Sequence, residues 1–454
     1  MGKPTTGKKG RIQLAARVWR GFCRTVVWVF YRRHELHGKE NIPGTGPLLV
    51  CANHPSALVD AVVLQSVCPR LVHPLARSGL FRNPLVRPLL SMIRAVPVHR
   101  RQDKNADTRR NADMFETCYQ LLEEDEALLI FPEGVTHSEP HLRELKTGAA
   151  RMALGFYKRT GRFPTMLPVG INFSESGRFR SSVLVKMEPP LIPSLQPGEG
   201  DDEAVQRLTE ELRSALRTAT INLNTWDEVD ILKRLERFFA MRRGRYRKRN
   251  LEQRFRSLQK LGETWERLQT QAPTLLSTAV HHLEQFEKLC RRAGVRDYHL
   301  TVKYTPGLVV RYLIRSTLTL ATVFPLALWG TLNAYLPFVI SRHAALALSQ
   351  DRYHYDTAKI SIGLFLFPLF WGTQTTLVYH WLGLWPSMAY LASLPPSAAA
   401  AQFMRRERKR LVENVKVFFL FFWRRELREL LERKREELEK ELARLARLAK
   451  RKAT

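Results

Sequence analysis

The sequence predicts an α/β domain, a mixed sheet flanked by helices, followed by a helical segment, membrane-embedded helices and a charged C-terminal helix. Short β-type runs alternate with helix-like stretches between residues 34 and 192. The next hundred residues are polar with helical periodicity, and two long uncharged runs then precede a basic end. The predicted divisions are residues 1–33, 34–200, 201–305, 306–403 and 404–454.

The first segment contains RVWRGFCRTVVWVFYRR, residues 17–33, in which arginines alternate with apolar side chains at roughly helical spacing. It is too short to span a bilayer, but it is suited to lying in a membrane interface. A packed N-terminal helix with solvated arginines explains the pattern equally well. Both interpretations remain open from sequence.

The α/β domain is predicted from its apolar runs. Strands are predicted at LLVCAN, AVPVH, ALLIFP, MLPVGINF and SVLVKMEPP, and helices at ADTRRNADMFETCYQLLEE and TGAARMALGFYKR. Proline and glycine in LIPSLQPGEGDD, residues 191–202, indicate the end of the domain. The helical segment that follows carries no recognisable chemistry. Its basic run at residues 241–250 is more typical of a lipid-facing or solvated loop than of an RNA-binding surface, since it has one aromatic residue for stacking.

Two stretches predict membrane-embedded helices. Residues 316–341 contain no charged side chain and exceed the roughly 20 residues that a helix needs to cross hydrocarbon. Residues 360–403 are similar, with the tryptophans and tyrosines of membrane interfaces. Because both ends of the chain are basic, two crossings or two re-entrant hairpins are favoured, with the α/β domain on the cytoplasmic face. Residues 404–454 predict a long helix or weak coiled coil.

The net charge of +30 and the pI near 10.4 indicate an anionic partner. With apolar segments present, anionic membrane lipids and acidic substrates are favoured over nucleic acid. The five cysteines are scattered, with neither metal-binding nor disulfide-framework spacing. We therefore expect a reducing cytoplasmic setting.

The stretch NHPSALVD, residues 53–60, is the leading candidate for a catalytic site. Pro55 suits the first position of a helix, which places His54 at a strand-to-helix corner. If His54 folds back over that helix, Asp60 can bond one ring nitrogen and leave the other to take a substrate proton. A capping histidine with a surface aspartate is the alternative for these two residues alone.

Further strand ends carry groups suited to anions. Guanidinium groups hold phosphates, and glycine lets main-chain N–H groups approach an anion closely. The blocks AVPVHRRQD, ALLIFPEGVTHSEPHLRELKTGAARMAL and MLPVGINF supply these groups. They are Arg100, Arg101, Gly134, Arg143 and Lys146, and the same blocks carry Glu133, Pro168 and Gly170 at their strand ends.

Taken together, NHPSALVD, VPVHRR, FPEGVTHS with LKTGAARMAL, and LPVGINF resemble the phospholipid and glycerol acyltransferase family over residues 36–190. LFRNPLVRPLL and DRYHYDTAKISIGLFLFPLFWG are similar to the branch of fungal glycerol-3-phosphate and dihydroxyacetone-phosphate acyltransferases and their bacterial relatives. The resemblance implies transfer of a fatty acyl group from acyl-CoA or acyl carrier protein to glycerol 3-phosphate. Attack on a thioester by a base-activated alcohol needs no metal and no redox cofactor, so none is expected. Lysophosphatidic acid as acceptor, or a catalytically silent membrane scaffold, are the alternatives.

By motif position, the resemblance implies that His54 is the general base, that Asp60 orients it and that Arg100 holds phosphate. Glu133 and Gly134 are implied to shape the acceptor site, and Pro168 is implied to lie near the acyl-chain pocket.

Two departures from the family pattern concern these residues. Five residues separate His54 from Asp60 where the common motif has four, and the longer spacing is similar to that of the fungal-type branch. Thr136–Ser138 stand where the family carries an arginine. Arg143 and Lys146 are the substitutes that we expect for its grip on phosphate.

Overall fold

The computed structural model describes residues 6–84, 86–99, 111–137, 139–175, 180–242, 249–301, 305–348 and 352–451. These residues form two compact units. The first contains the described residues up to Val229, the segment Asn250–Arg256 and residues 352–357. The second contains the remaining helices.

A seven-stranded sheet is the centre of the first unit. Its strands are β1 Arg33–His37, β2 Leu48–Ala52, β3 Val72–Arg77, β4 Val96–Val98, β5 Ala127–Ile130, β6 Thr165–Phe173 and β7 Ser182–Met187, in the order β1-β7-β6-β2-β5-β3-β4. Neighbours are parallel except β6 and β7, which are antiparallel. The predicted mixed sheet flanked by helices is confirmed. Two strands, β1 (RHELH) and β3 (VHPLAR), were not predicted because histidines, charges and a proline interrupt their apolar pattern.

Helices cover the sheet. They are α1 Thr6–Phe30, α2 Leu58–Val67, α3 Arg87–Met92, α4 Asn111–Glu123, α5 Gly148–Thr160 and α6 Asp201–Ala219. One core cluster joins Leu49 and Cys51 of β2 to α4, α5 and α6, including the fully buried Phe156 of α5. A Cβ on Gly170 of β6 would overlap the main chain of Ala219, so α6 lies directly against the sheet. The predicted boundary at residues 191–202 therefore precedes a helix that still packs on this core.

Helix α1 has two different faces. Trp19 and Cys23 are buried in a cluster with α3, which explains why this stretch packs on the domain. Leu14, Val18 and Trp28 remain more than half exposed. The packed-helix interpretation describes the first face, and the interfacial interpretation stays a prediction for the second.

The later helices are α7 Trp226–Arg242, α8 Leu251–Gln271, α9 Pro273–Arg292, α10 Asp297–Leu300, α11 Pro306–Leu348, α12 Arg352–Leu382, α13 Leu384–Trp423 and α14 Arg425–Arg451. The predicted C-terminal helix is confirmed from Arg425 onwards as α14, which packs its buried leucines beside α9, whereas residues 404–423 belong to α13. Helices α11 and α13 approach so closely that a Cβ on Gly330 would overlap the main chain at Ser397. Most of the predicted basic run at residues 241–250 lies outside the described residues.

Two of these helices, α11 and the Ala358–Leu382 part of α12, are long and apolar enough to cross a membrane. They coincide with the two uncharged stretches of the sequence, and most of their side chains are not covered by protein. This arrangement fits membrane association. The second stretch is interrupted at Gly383, whose φ of +85° ends α12 and begins α13. The number of crossings and the orientation remain predictions.

Candidate active site

The candidate site lies where three neighbouring parallel strands end. Strand β2 is paired with β5 on one side and β6 on the other, so the segments after β2 and β5 and the end of β6 meet at one edge of the sheet. Grooves at the carboxyl ends of parallel strands are the usual ligand sites of α/β folds. NHPSALVD follows β2 at this edge.

Asn53 fixes the start of this segment to β6. Its Oδ1 accepts the main-chain N–H of Ile171 at 2.7 Å, and its Nδ2 donates to the Ile171 carbonyl at 3.2 Å. The side-chain amide thus continues the pairing of β2 with β6 by one step. The main chain at His54 is placed accordingly.

His54 and Asp60 are in direct contact. His54 Nδ1 lies 2.9 Å from Asp60 Oδ2, which also accepts the main-chain N–H of Ser56 at 2.7 Å. The Asp60 side chain is fully buried and that of His54 is 11% exposed. The alternative of a surface aspartate is therefore wrong. The geometry is that of a histidine whose Nδ1–H is held by a carboxylate.

The turn between them differs from the sequence prediction. Helix α2 begins at Leu58, so Pro55 is not its first residue. Ala57 has a φ of +49°, a left-handed conformation rare outside glycine. This extra turn, made before the helix begins, lets His54 fold back so that six residues of separation still bring the two side chains together.

One face of the His54 imidazole is packed against an aromatic side chain. It stacks on Phe131, which follows β5, with ring centroids 3.9 Å apart and planes 16° apart. Among the residues that the structure describes, the second ring nitrogen, Nε2, has no hydrogen-bond partner. A neutral imidazole held in this way presents Nε2 as a proton acceptor.

Two opposing effects act on Asp60. Burial is the larger effect and raises the pKa of the Asp60 carboxyl above its ordinary value, while the hydrogen bonds from His54 and from the Ser56 N–H lower it in part. Each of these donors stabilises the ionised form. Oδ1 has no hydrogen-bond partner among the described residues. Both hydrogen bonds to the carboxyl group are therefore made through Oδ2, the oxygen that contacts His54.

Glu133 lies beneath this pair and not in the groove. Its side chain is fully buried; Oε1 accepts the main-chain N–H of His54 at 3.1 Å, and Oε2 is bonded to His137 Nε2. Burial raises the pKa of Glu133 to about 7 and lowers the pKa of His137 to about 4. Any effect of Glu133 on a substrate is therefore indirect.

Sequence reasoning treated His137 only as a departure from the family pattern, and the structure makes it part of the site. The available signal was a histidine four residues after Glu133 in a loop that leaves a buried strand.

The predicted anion-binding groups are partly brought together. Gly134 has a φ of +70°, and a Cβ there would lie 3.4 Å from Lys146 Cγ, so the exposed Lys146 side chain runs beside this turn. The main-chain N–H of Lys146 donates to Pro132 at 2.7 Å. Arg143 is ion-paired with Glu139 at the surface.

Pro168 is buried within β6 opposite Cys51 of β2, so it lies in the sheet. Arg100 and Arg101 lie outside the described residues. In the described part of the chain there is no group of three or more His, Cys, Asp or Glu side chains placed to hold a metal ion.

Comparisons with known proteins match this part of the chain. A family model described as Acyltransferase matches residues 33–172. Glycerol-3-phosphate O-acyltransferase 2 of Saccharomyces cerevisiae is 27% identical over 30% of this chain and 19% of its own length. The 1-acyl-sn-glycerol-3-phosphate acyltransferase of Bacillus subtilis is 29% identical over 32% of this chain and 65% of its own.

The chain thus spans about a fifth of the yeast relative that it matches. Among solved structures, the 1-acyl-sn-glycerophosphate acyltransferase of Thermotoga maritima aligns with 47% of this chain and 83% of its own, at 20% identity and a TM-score of 0.35.

Proposed function

Residues 33–172 form a domain of the acyltransferase family, and from this premise we propose that the protein transfers a fatty acyl group from a thioester to the hydroxyl of glycerol 3-phosphate in phospholipid synthesis. The observation that carries the proposal is the His54–Asp60 pair at the carboxyl edge of the sheet. His54 Nδ1 lies 2.9 Å from Asp60 Oδ2, and no described residue bonds His54 Nε2.

In the proposed reaction His54 is the general base. Its Nε2 takes the proton of the acceptor hydroxyl while that oxygen attacks the thioester carbonyl carbon. The C–O bond forms, the C–S bond then breaks, and the imidazolium returns its proton to the departing thiolate. Asp60 keeps Nδ1 protonated and stabilises the imidazolium in between. No serine or cysteine nucleophile takes part.

Phosphate binding is assigned to basic groups at the same edge. Lys146 beside the Gly134 turn supports this role, since it is exposed and follows a strand end. The Arg143–Glu139 pair is exposed and therefore worth at most about 1 kcal/mol, so a phosphate can displace the carboxylate. Arg100 and Arg101 keep their predicted role in holding phosphate.

The other predicted roles are indirect or concern the donor. Glu133 and Gly134 shape the acceptor site from below, and Pro168 stays assigned to the region of the acyl chain. Acyl-CoA and acyl carrier protein are both acidic donors, which suits a chain with a net charge of +30. The apolar helices support an integral membrane protein with its catalytic domain on the cytoplasmic face.

Lysophosphatidic acid is the second candidate acceptor. The name of the Bacillus subtilis relative favours it, whereas that of the Saccharomyces cerevisiae relative favours glycerol 3-phosphate. Both acceptors present a hydroxyl near a phosphate, so the His54 chemistry is the same.

The deciding experiment is acyl transfer by the full chain in detergent, with long-chain acyl-CoA or acyl carrier protein as donor and each acceptor in turn. We expect product from glycerol 3-phosphate, loss of activity of at least about 1,000-fold in His54→Ala, and normal activity in His141→Ala, an exposed histidine of the loop after β5. Product only from lysophosphatidic acid would replace the acceptor and keep the mechanism. With no product from either, truncation after residue 403 would test the scaffold alternative.

A further inference from the structure

The main chain of His54 belongs to a closed set of hydrogen bonds. Its N–H donates to Glu133 Oε1 at 3.1 Å, Glu133 Oε2 is bonded to His137 Nε2, and the His137 N–H donates back to the His54 carbonyl at 3.3 Å. We refer to these three residues as the Glu133 network. It joins the loop after β2 to the loop after β5.

The tautomer of His137 follows from its second nitrogen. The main-chain N–H of Glu139 donates to His137 Nδ1 at 3.2 Å, so Nδ1 is an acceptor and the proton lies on Nε2. Nε2–H then donates to Glu133. Both oxygens of Glu133 accept N–H donors, which suits the carboxylate that forms above its raised pKa of about 7.

Neither side chain can meet a substrate. Glu133 is fully buried and His137 is 8% exposed at the side chain. Because each already uses the atoms that would otherwise bind or react, their influence on the chemistry must pass through His54.

The Glu133 network acts on the main-chain N–H and C=O of His54, which no other described residue bonds. Asn53 is fixed to β6, and the imidazole is held by Asp60 and Phe131, but the peptide groups on either side of the His54 Cα depend on Glu133 and His137. A base displaced by about 1 Å loses on the order of 100-fold in rate. Loss of His137 would also leave Glu133 with one donor fewer in a buried site, where an uncompensated carboxylate is unfavourable.

We propose that His137 is a positioning residue: through Glu133 and its own main chain it fixes both main-chain polar groups of His54 and so keeps the imidazole aligned with the acceptor. The inference rests on the proposed role of His54 as the base. It assigns a function to a histidine that stands where an arginine was expected to grip phosphate, and it removes that residue from substrate binding.

The kinetic test uses the full-length protein and three variants. His137→Ala is expected to lower kcat about 10- to 100-fold with KM for both substrates within about twofold, because neither substrate touches it. His137→Gln places an amide N–H near the position of Nε2 and should recover kcat to within about fivefold of the wild type. His141→Ala, in the same loop but exposed, should match the wild type. A raised KM with unchanged kcat in His137→Ala would overturn the proposal in favour of direct binding.

A second readout does not depend on activity. Hydrogen exchange of peptides covering residues 49–60 should be faster in His137→Ala than in the wild type, His137→Gln or His141→Ala. Peptides from α5 should be unchanged, which shows that the fold persists. If His137→Ala fails to fold, His137→Asn replaces it, since the shorter amide stops short of Glu133. Unchanged exchange at residues 49–60 would overturn the proposal. If the wild type transfers no acyl group, the proposed function fails, and exchange still decides whether His137 fixes this segment.

Discussion

Replacing Asp60 with asparagine tests the catalytic pair without changing its shape. Asparagine keeps an oxygen that can accept from His54 Nδ1 and from the Ser56 N–H, and it places a neutral amide where the charged carboxylate was. The imidazolium that forms during proton transfer then loses its counter-charge. The substitution therefore acts on the reaction and not on ground-state binding.

The magnitude follows from the contact. A charge-assisted hydrogen bond is worth about 2–3 kcal/mol, which corresponds to a loss in kcat of roughly 30- to 150-fold. Two unit charges about 4 Å apart at an effective dielectric constant near 20 interact by about 4 kcal/mol, so roughly 1,000-fold is the upper bound. KM should change less than about threefold, because the buried Asp60 cannot touch a substrate.

Stability should change little. The amide group of asparagine replaces Oδ1, which has no partner among the described residues, and an unpaired NH₂ there costs about 1 kcal/mol. Removing a buried charge offsets part of that cost.

The assay is acyl transfer over a range of both substrates, with thermal unfolding measured in parallel. Glu126→Gln is the matched control, because Glu126 pairs with the buried His73 at 3.4 Å in the same sheet but away from the site. Its kcat should equal that of the wild type. A kcat of Asp60→Asn within about threefold of wild type, in a folded protein, would refute the reasoning.

Three other changes have defined outcomes. Asn53→Ala removes two hydrogen bonds and leaves a main-chain N–H of β6 unpaired, so it should lower the free energy of unfolding by about 3 kcal/mol and reduce kcat. Gly170→Ala should cost about 3 kcal/mol or more, because a Cβ would overlap the rigid main chain at Ala219. His137→Gln should give a melting temperature that falls more steeply between pH 4.5 and pH 7 than that of the wild type.

Burial shifts the pKa values of Glu133 and His137 in opposite directions. The pKa of Glu133 rises from 4.5 to about 7, so its contribution to stability is present below pH 4.5 and is lost as the pH rises to 7. The pKa of His137 falls from 6.5 to about 4, so its contribution is present above pH 6.5 and is lost as the pH falls to 4. The two cancel between about pH 4.5 and 6.5 in the wild type. Glutamine removes the second and leaves about 3 kcal/mol of dependence from Glu133.

Each of these outcomes has a control. Gly148→Ala, where a Cβ meets nothing within 4 Å, should be as stable as the wild type. Equal stability of Gly170→Ala would mean that α6 does not lie against β6. A normal unfolding free energy in Asn53→Ala would remove the amide bridge from the description of the site. A pH dependence of His137→Gln that matches the wild type would show that the pKa shifts of Glu133 and His137 do not offset each other.

Elements with a local pattern of apolar residues could be predicted from the amino-acid sequence. The central strands β2, β5 and β6 are buried on both faces of a largely parallel sheet and therefore read as continuous apolar runs. The amphipathic helices α4 and α5 and the uncharged stretches of α11 and α12 have equally clear patterns. The same locality brought out His54 and Asp60, since only one turn separates them.

Strands, packing and contacts that depend on residues far apart in the chain became visible only in the folded structure. Strand β1, at one edge of the sheet, and β3, between β5 and β4, form because neighbouring strands supply their hydrogen bonds. Their own residues lack the apolar pattern of a strand. Packing of α6 on Gly170 extends the core beyond the proline- and glycine-rich segment. Glu133 lies 79 residues from His54 in the chain, and only the pairing of β2 with β5 brings the two loops together. This pairing buries the Glu133 side chain next to the main chain of His54, whereas its position in the motif had predicted contact with the acceptor.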